Sequence, residues 1–162
     1  MQPLVDLQLL VLLTLANGTP VIAKKILGDR LAWPLDCGVQ FVDGRPLLGA
    51  SKTLRGILLA ILATGAGAAL IGPGWRIGLA VGGLAMAGDL LSSFIKRRLA
   101  LKPSSQAMGL DQVPEALLPL IACRFWLALS VLDIAAILAV FFVGEIVVSR
   151  LLYRLHIRDE PY

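Results

Sequence analysis

Histidine and cysteine are scarce in this chain. The single histidine, His156, lies in the C-terminal tail, and the two cysteines, Cys37 and Cys123, stand far apart. Neither cysteine has metal-ligand spacing, which excludes a zinc cluster, and neither is expected in a disulfide. A lone tail histidine is far more often solvated than catalytic, so no histidine-dependent nucleophile–base pair can be drawn. No basic residue occurs in the first six positions, and Leu15-Ala16-Asn17-Gly18 is a poor small-residue cleavage site, so the first apolar run reads as a retained span. A complete phosphate loop is lacking too. Gly44 and Gly49 invite the comparison, but Ala50-Ser51 intervenes before Lys52-Thr53 and no strand precedes them. No internal repeat points to a transporter built from two related halves.

What is present is apolar. Of 162 residues, 57% are hydrophobic, above the roughly 45–50% of soluble domains. They gather in blocks of the length that crosses a bilayer, about 20 residues each. The expectation is an all-α polytopic membrane protein with a single integral membrane domain. About five spans are placed near 4–22, 54–71, 75–94, 114–130 and 131–152. Two polar loops, near 23–53 and 95–113, connect spans one to four. Of fifteen Lys and Arg, six fall between Lys24 and Arg55, four between Lys96 and Lys102, and three from Arg150 onward. Cations collect on the cytoplasmic side. The chain is therefore expected in the cell (inner or plasma) membrane with its N-terminus outside, its C-terminus inside and both loops in the cytoplasm. The net charge of +4 suits anionic lipid or a phosphorylated ligand rather than nucleic acid, because the cations flank apolar spans.

Chemistry-bearing residues concentrate in 88–112. Read as a helix, Asp89, Ser93, Lys96 and Arg97 recur at i, i+4, i+7 and i+8 and share one face. A carboxylate, a hydroxyl and two cations on one stripe can hold a metal ion and a polyphosphate together; interfacial anchoring of the cations is the plainer alternative. Asp89 lies in an apolar run, where an unpaired acid costs about 2.5–3.5 kcal/mol on insertion scales. Lys96, Arg97, a loop cation or a metal must compensate it. Asp111, just before the fourth span, can reach the same site, and paired carboxylates suit Mg²⁺. In the first loop, Ser51 or Thr53 can cap the next helix, whose N-terminus beside Lys52 and Arg55 suits phosphate. Asn17-Gly18-Thr19-Pro20 interrupts the inner end of the first span. Asn17 there lines either a ligand or a kink filled by neighbouring helices. Arg124, inside the fourth span, is expected to snorkel or to pair with Asp133 or Glu145.

Gly88-Asp89-Leu90-x-x-Ser93-x-x-Lys96-Arg97, followed by Leu110-Asp111, resembles the signature of CDP-diacylglycerol synthases (phosphatidate cytidylyltransferases). The chain is more similar still to the smaller CDP-archaeol synthases. That likeness extends over Asn17-Gly18-Thr19-Pro20, Asp43-Gly44-Arg45-Pro46, Gly49-x-Ser51-Lys52-Thr53-x-Arg55-Gly56, Ser93-Phe94-Ile95-Lys96-Arg97-Arg98 and Leu110-Asp111-Gln112. The resemblance implies transfer of CMP from CTP to a membrane lipid phosphate of the archaetidic-acid or phosphatidic-acid type, with release of pyrophosphate. It implies Asp89 and Asp111 as metal ligands for Mg²⁺, with a second cation left open. Lys96, Arg97, Lys52 and Arg55 would neutralise phosphates of CTP or lipid, and Ser93, Ser51 and Thr53 would supply hydroxyls. Asp36 and Asp43 are expected mainly to shape the loop. Two departures separate the chain from the diacylglycerol enzymes. Pro103 follows Lys102 where they carry an aspartate, and Asp111-Gln112-Val113-Pro114 lacks the arginine and second carboxylate of their D-R-x-D. Neither a diacyl acceptor nor a metal count is carried over from them. A homo-oligomer is left open, since no pattern encodes oligomeric state. The rival reading is a non-catalytic membrane transporter or assembly subunit whose intramembrane ion pairs are structural.

Overall fold

The computed structural model of the chain describes residues 2–101, 107 and 109–155. His156, Arg158 and Lys102 lie outside the described residues, as does part of the expected second loop. Five helices follow one another: α1 (Pro3–Leu27), α2 (Leu54–Ile71), α3 (Trp75–Arg98), α4 (Gln112–Cys123) and α5 (Val131–Arg154). Two isolated antiparallel bridges, Pro34 with Thr53 and Gln40 with Pro46, are the only extended pairing among the described residues. The all-α architecture expected from the apolar blocks is the one observed.

α1 runs unbroken through Asn17-Gly18-Thr19-Pro20 and ends five residues beyond the expected boundary. The interruption is absent for a physical reason. Pro20 faces Gly56 of α2, which leaves room for its ring. A proline costs a helix one donor and a steric clash, and here the neighbouring helix accommodates it.

α2 begins where Thr53 accepts a hydrogen bond from the Gly56 N–H at 3.2 Å, an ordinary N-cap. α3 lies close against it because Gly78 and Gly82 present no side chain. A Cβ at Gly78 would strike the Thr64 carbonyl, and one at Gly82 would strike the Thr64 hydroxyl and the Ile61 backbone. Small residues at such crossings are the usual means of close packing between apolar helices.

Four helices, α1, α2, α3 and α5, are long and apolar enough to cross a membrane. The expected fourth span over 114–130 is not one helix. α4 has 12 residues, about 18 Å at 1.5 Å rise per residue, against a hydrocarbon core of about 30 Å. It carries Pro119 inside and stops at Cys123. The chain then turns with Ala128 in the left-handed region at φ 50°, and the Ser130–Asp133 capping box starts α5. Arg124 consequently sits exposed at the helix end rather than inside a span. Helix and turns together still carry the chain back to the end at which α1 begins. The Gln2 amide donates to the carbonyls of Leu127 and Ala128 at 3.3 and 3.2 Å.

Candidate active site

The α3 stripe faces inward. Ser93, Lys96 and Arg97 are all buried, the two cations being 8% and 4% exposed. Charged side chains are almost never buried to this degree unless paired, and their partners come from both flanking segments. The Lys52 ammonium contacts both oxygens of Asp89 at 2.6 Å. The Lys96 ammonium lies 2.7 Å from Asp111, and Asp111 also faces the Arg97 guanidinium. Asp89 and Lys96 are separated by two helical turns, about 10 Å of rise. The site is thus an elongated strip of alternating charge along the inner half of α3.

The first loop delivers Lys52 by a short ladder. Leu35 N–H donates to the Lys52 carbonyl at 2.7 Å, and Leu54 N–H donates to the Trp33 carbonyl at 3.1 Å. Asp36 organises the turn before it. Its carboxylate accepts N–H bonds from Gly38 at 3.1 Å and from Leu48 and Gly49 at 2.9 Å each. Burial pushes this carboxyl's pKa up, but the three donors together outweigh it and hold it below the ordinary value.

The hairpin 40–46 is latched to the end of α3. Arg98 pairs with Asp43 at 2.7 Å and donates to the Pro46 carbonyl at 2.6 Å. Its guanidinium lies against the rings of Phe41 and Phe94, 4.6 and 5.0 Å from their centroids. The two rings meet edge to face at 5.4 Å. Arg45 returns the contact by donating to the carbonyls of Arg97 and Arg98 at the end of α3. Asp36 and Asp43 therefore shape the loop.

Of the residues singled out in the sequence, Lys52, Asp89, Ser93, Lys96, Arg97 and Asp111 come together. Thr53 spends its hydroxyl on the α2 cap, and Ser51 is exposed in the preceding turn. Arg55 turns away, donating to the carbonyls of Gly28 and Arg30, where it braces the chain leaving α1. Asn17 faces α5 across a cavity of about 190 Å³ lined chiefly by apolar side chains.

One acid was not singled out. Glu115, in the first turn of α4, is 5% exposed and hydrogen-bonds Asp89, with Glu145 of α5 also nearby. Gly88 makes this approach possible: a Cβ there would overlap the Pro114 carbonyl and the Glu115 backbone nitrogen. The available signal was its position four residues after Asp111, on the same helical face.

Among the described residues no group of three or more His, Cys, Asp or Glu forms a ready cation cage. The donor set still fits Mg²⁺, which usually takes one or two carboxylates and completes its shell with water and substrate phosphates. An ammonium already sits where a cation would contact Asp89.

The chain is similar to several known proteins. The profile of the family described as CarS-like CDP-archaeol synthase matches residues 74–162. The CDP-archaeol synthase of Sulfurisphaera tokodaii is 36% identical over 155 residues, covering 91% of this chain and 89% of the relative. That of Pyrobaculum calidifontis is 30% identical over 158 residues, covering 91% and 90%. A solved structure described as an intramembrane enzyme for archaeal membrane lipids biosynthesis superimposes with a TM-score of 0.70 at 28% identity, covering 85% of this chain and 90% of that one. With its signature cations and carboxylates assembled on one strip between apolar helices, this chain is an integral membrane protein that belongs to the CDP-archaeol synthase family.

Proposed function

We propose that the chain transfers CMP from CTP to a membrane lipid phosphate in an Mg²⁺-dependent reaction, giving a CDP-lipid and pyrophosphate. The observation that carries this reading is the strip itself, in which the buried Lys96 and Arg97 of α3 and the half-buried Lys52 of the first loop alternate with the half-buried Asp89 and Asp111. Buried cations of this kind are suited to a polyphosphate that exchanges with the resident carboxylates.

The acceptor needs no base from the protein. A phosphate monoester has a second pKa near 6, so it is largely dianionic at neutral pH. One of its oxygens forms the bond to the α-phosphorus of CTP, the bond to the bridging oxygen breaks, and pyrophosphate leaves with that electron pair. The chain's own task is alignment and charge neutralisation. Lys52, Lys96 and Arg97 would hold phosphate oxygens, with the Ser93 hydroxyl between them on the same face. Asp89 and Asp111 would hold Mg²⁺, which when bound neutralises charge on the phosphate oxygens. Ser51 and Arg55 would act on the loop or on incoming nucleotide rather than within the strip, and Asn17 would face lipid. The cavity between α1 and α5, with Asn17 and Glu145 among its lining residues, suits the hydrocarbon of an acceptor. The family favours an archaeal diether lipid phosphate over a diacyl one. The cation bias supports a strip on the cytoplasmic side, with the N-terminus outside and the C-terminus inside. Membership of an enzyme family weighs against the non-catalytic transporter or assembly-subunit reading.

The test is turnover by purified protein in detergent with Mg²⁺, labelled CTP, and diether and diacyl lipid phosphates in parallel. The expected result is CDP-lipid with equimolar pyrophosphate, greatest with the diether acceptor. Absence of both products with every acceptor would overturn the reading. Retention of full activity in a chelator would remove Mg²⁺ from it.

A further inference from the structure

We propose that Glu115 joins Asp89 as a carboxylate of the cation site there, and that Lys52 is the cation holding this site in the nucleotide-free enzyme. The inference rests on the cytidylyl-transfer reading for the identity of the metal, but its observations are separate.

Glu115 reaches Asp89 only because Gly88 lets the start of α4 touch α3. Its side chain is almost wholly buried, and it hydrogen-bonds Asp89. Its other oxygen, Oε2, is buried with no hydrogen-bond partner. An unmatched carboxylate oxygen in such surroundings costs free energy, so a fold that keeps one on a side chain already touching a second acid points to a cation that it serves. Lys52 supplies part of that charge now. Its ammonium bridges both Asp89 oxygens, and Glu115 lies within its electrostatic reach.

A lysine and a divalent cation cannot occupy the same face of Asp89. Lys52 is carried on a loop rather than a helix, and its side chain has four rotatable carbons with which to withdraw. The arrangement therefore describes an exchange. In the free enzyme Lys52 neutralises Asp89, and one proton is shared in the hydrogen bond between Asp89 and Glu115. With metal and triphosphate bound, Asp89 and Glu115 would turn to the metal, their shared proton would pass to solvent, and Lys52 would turn to the phosphates. The site then discriminates against bare metal and admits metal that brings its own anion.

The exchange is tested by Mn²⁺ binding to the full-length protein in detergent without nucleotide, read from the electron paramagnetic resonance signal of free Mn²⁺. Wild type is expected to bind weakly. Lys52→Met is expected to tighten Mn²⁺ by on the order of tenfold or more, since a competing unit charge at contact distance is removed. Adding Glu115→Gln to Lys52→Met is expected to abolish that gain, whereas adding Glu115→Asp retains part of it and guards against a folding defect. Unchanged or weaker Mn²⁺ binding in Lys52→Met would overturn the resident-cation assignment. Full retention of the gain in Lys52→Met/Glu115→Gln would overturn the assignment of Glu115 to the site. Because no nucleotide or lipid enters the experiment, its failure is distinguishable from failure of CMP transfer, which is read from products in wild type.

Discussion

The two sides of this molecule are built to different standards of packing. On the α3 side, 44% of the apolar stretch is buried, and on the α5 side only 17%. The α2–α3–α4 side is joined through glycines with no space for a methyl group: Gly78, Gly82 and Gly88. On the α5 side, Gly144 has open space around its Cβ position, and a cavity separates α5 from α1. The difference follows from what each side must hold. Buried charges need partners at fixed distances, because an unpaired one costs several kcal/mol. Hydrocarbon against hydrocarbon needs only volume, and lipid can fill what protein does not.

Substitution of glycine on the two sides is the strongest way to break this comparison. Gly88→Val is expected to push α4 off α3, destabilise the protein by about 1–3 kcal/mol or more through overpacking, and eliminate activity. Gly144→Ala is expected to stay within about 0.5 kcal/mol of wild type, as surface substitutions do. Thermal unfolding in detergent measures both, and equal effects would remove the contrast.

Next in size are the paired carboxylates. Asp89→Asn and Asp111→Asn are each expected to lower kcat by about 10²-fold or more, the scale of losing one well-placed electrostatic contact, while the folded protein still inserts into membranes. Normal turnover in either variant would take that residue out of the site.

The latch at Arg98 should give a smaller effect. Arg98→Ala removes the Asp43 pair and the contacts with Phe41 and Phe94, worth about 1–2 kcal/mol together. The expected outcome is a several-fold rise in KM for CTP with kcat less affected, since the loop carrying Lys52 loosens. Protease sensitivity between 33 and 50 should rise in parallel.

The smallest effect concerns acid. The Asp36 carboxyl is held below its ordinary value in the folded loop. Its contribution is therefore complete above the unfolded-state pKa and is lost as pH falls through the lower folded-state value. Asp36→Asn should weaken the loop at neutral pH, with the difference from wild type shrinking as pH is lowered into that range. Proteolysis rates across the pH series would reveal it.

Much of the site was legible because helical spacing is a strict rule. Asp89, Ser93, Lys96 and Arg97 sit on one face at 3.6 residues per turn whatever surrounds them, and α3 places them so. Pairing was less legible. Lys52–Asp89 joins residues 37 apart in sequence, and no local pattern distinguishes Lys52 from Arg55 as the partner. The ladder with Trp33 and Leu35 makes the choice by orienting the backbone at Lys52. Pro20 and the stretch 114–130 depart from the sequence expectation for a related reason. Proline's effect on a helix depends on the neighbour that receives its ring, and a run of apolar residues does not reveal where a capping box will restart the chain.

From sequence alone came the membrane class, the all-α architecture, the polar strip and the family resemblance, since these depend on composition, periodicity and motif order. The tertiary structure alone decided which lysine neutralises which aspartate and brought Glu115 to Asp89. Those contacts arise between elements distant in the chain. Their distances are set by how closely two backbones can approach, and at α3–α4 that limit is the missing side chain of Gly88.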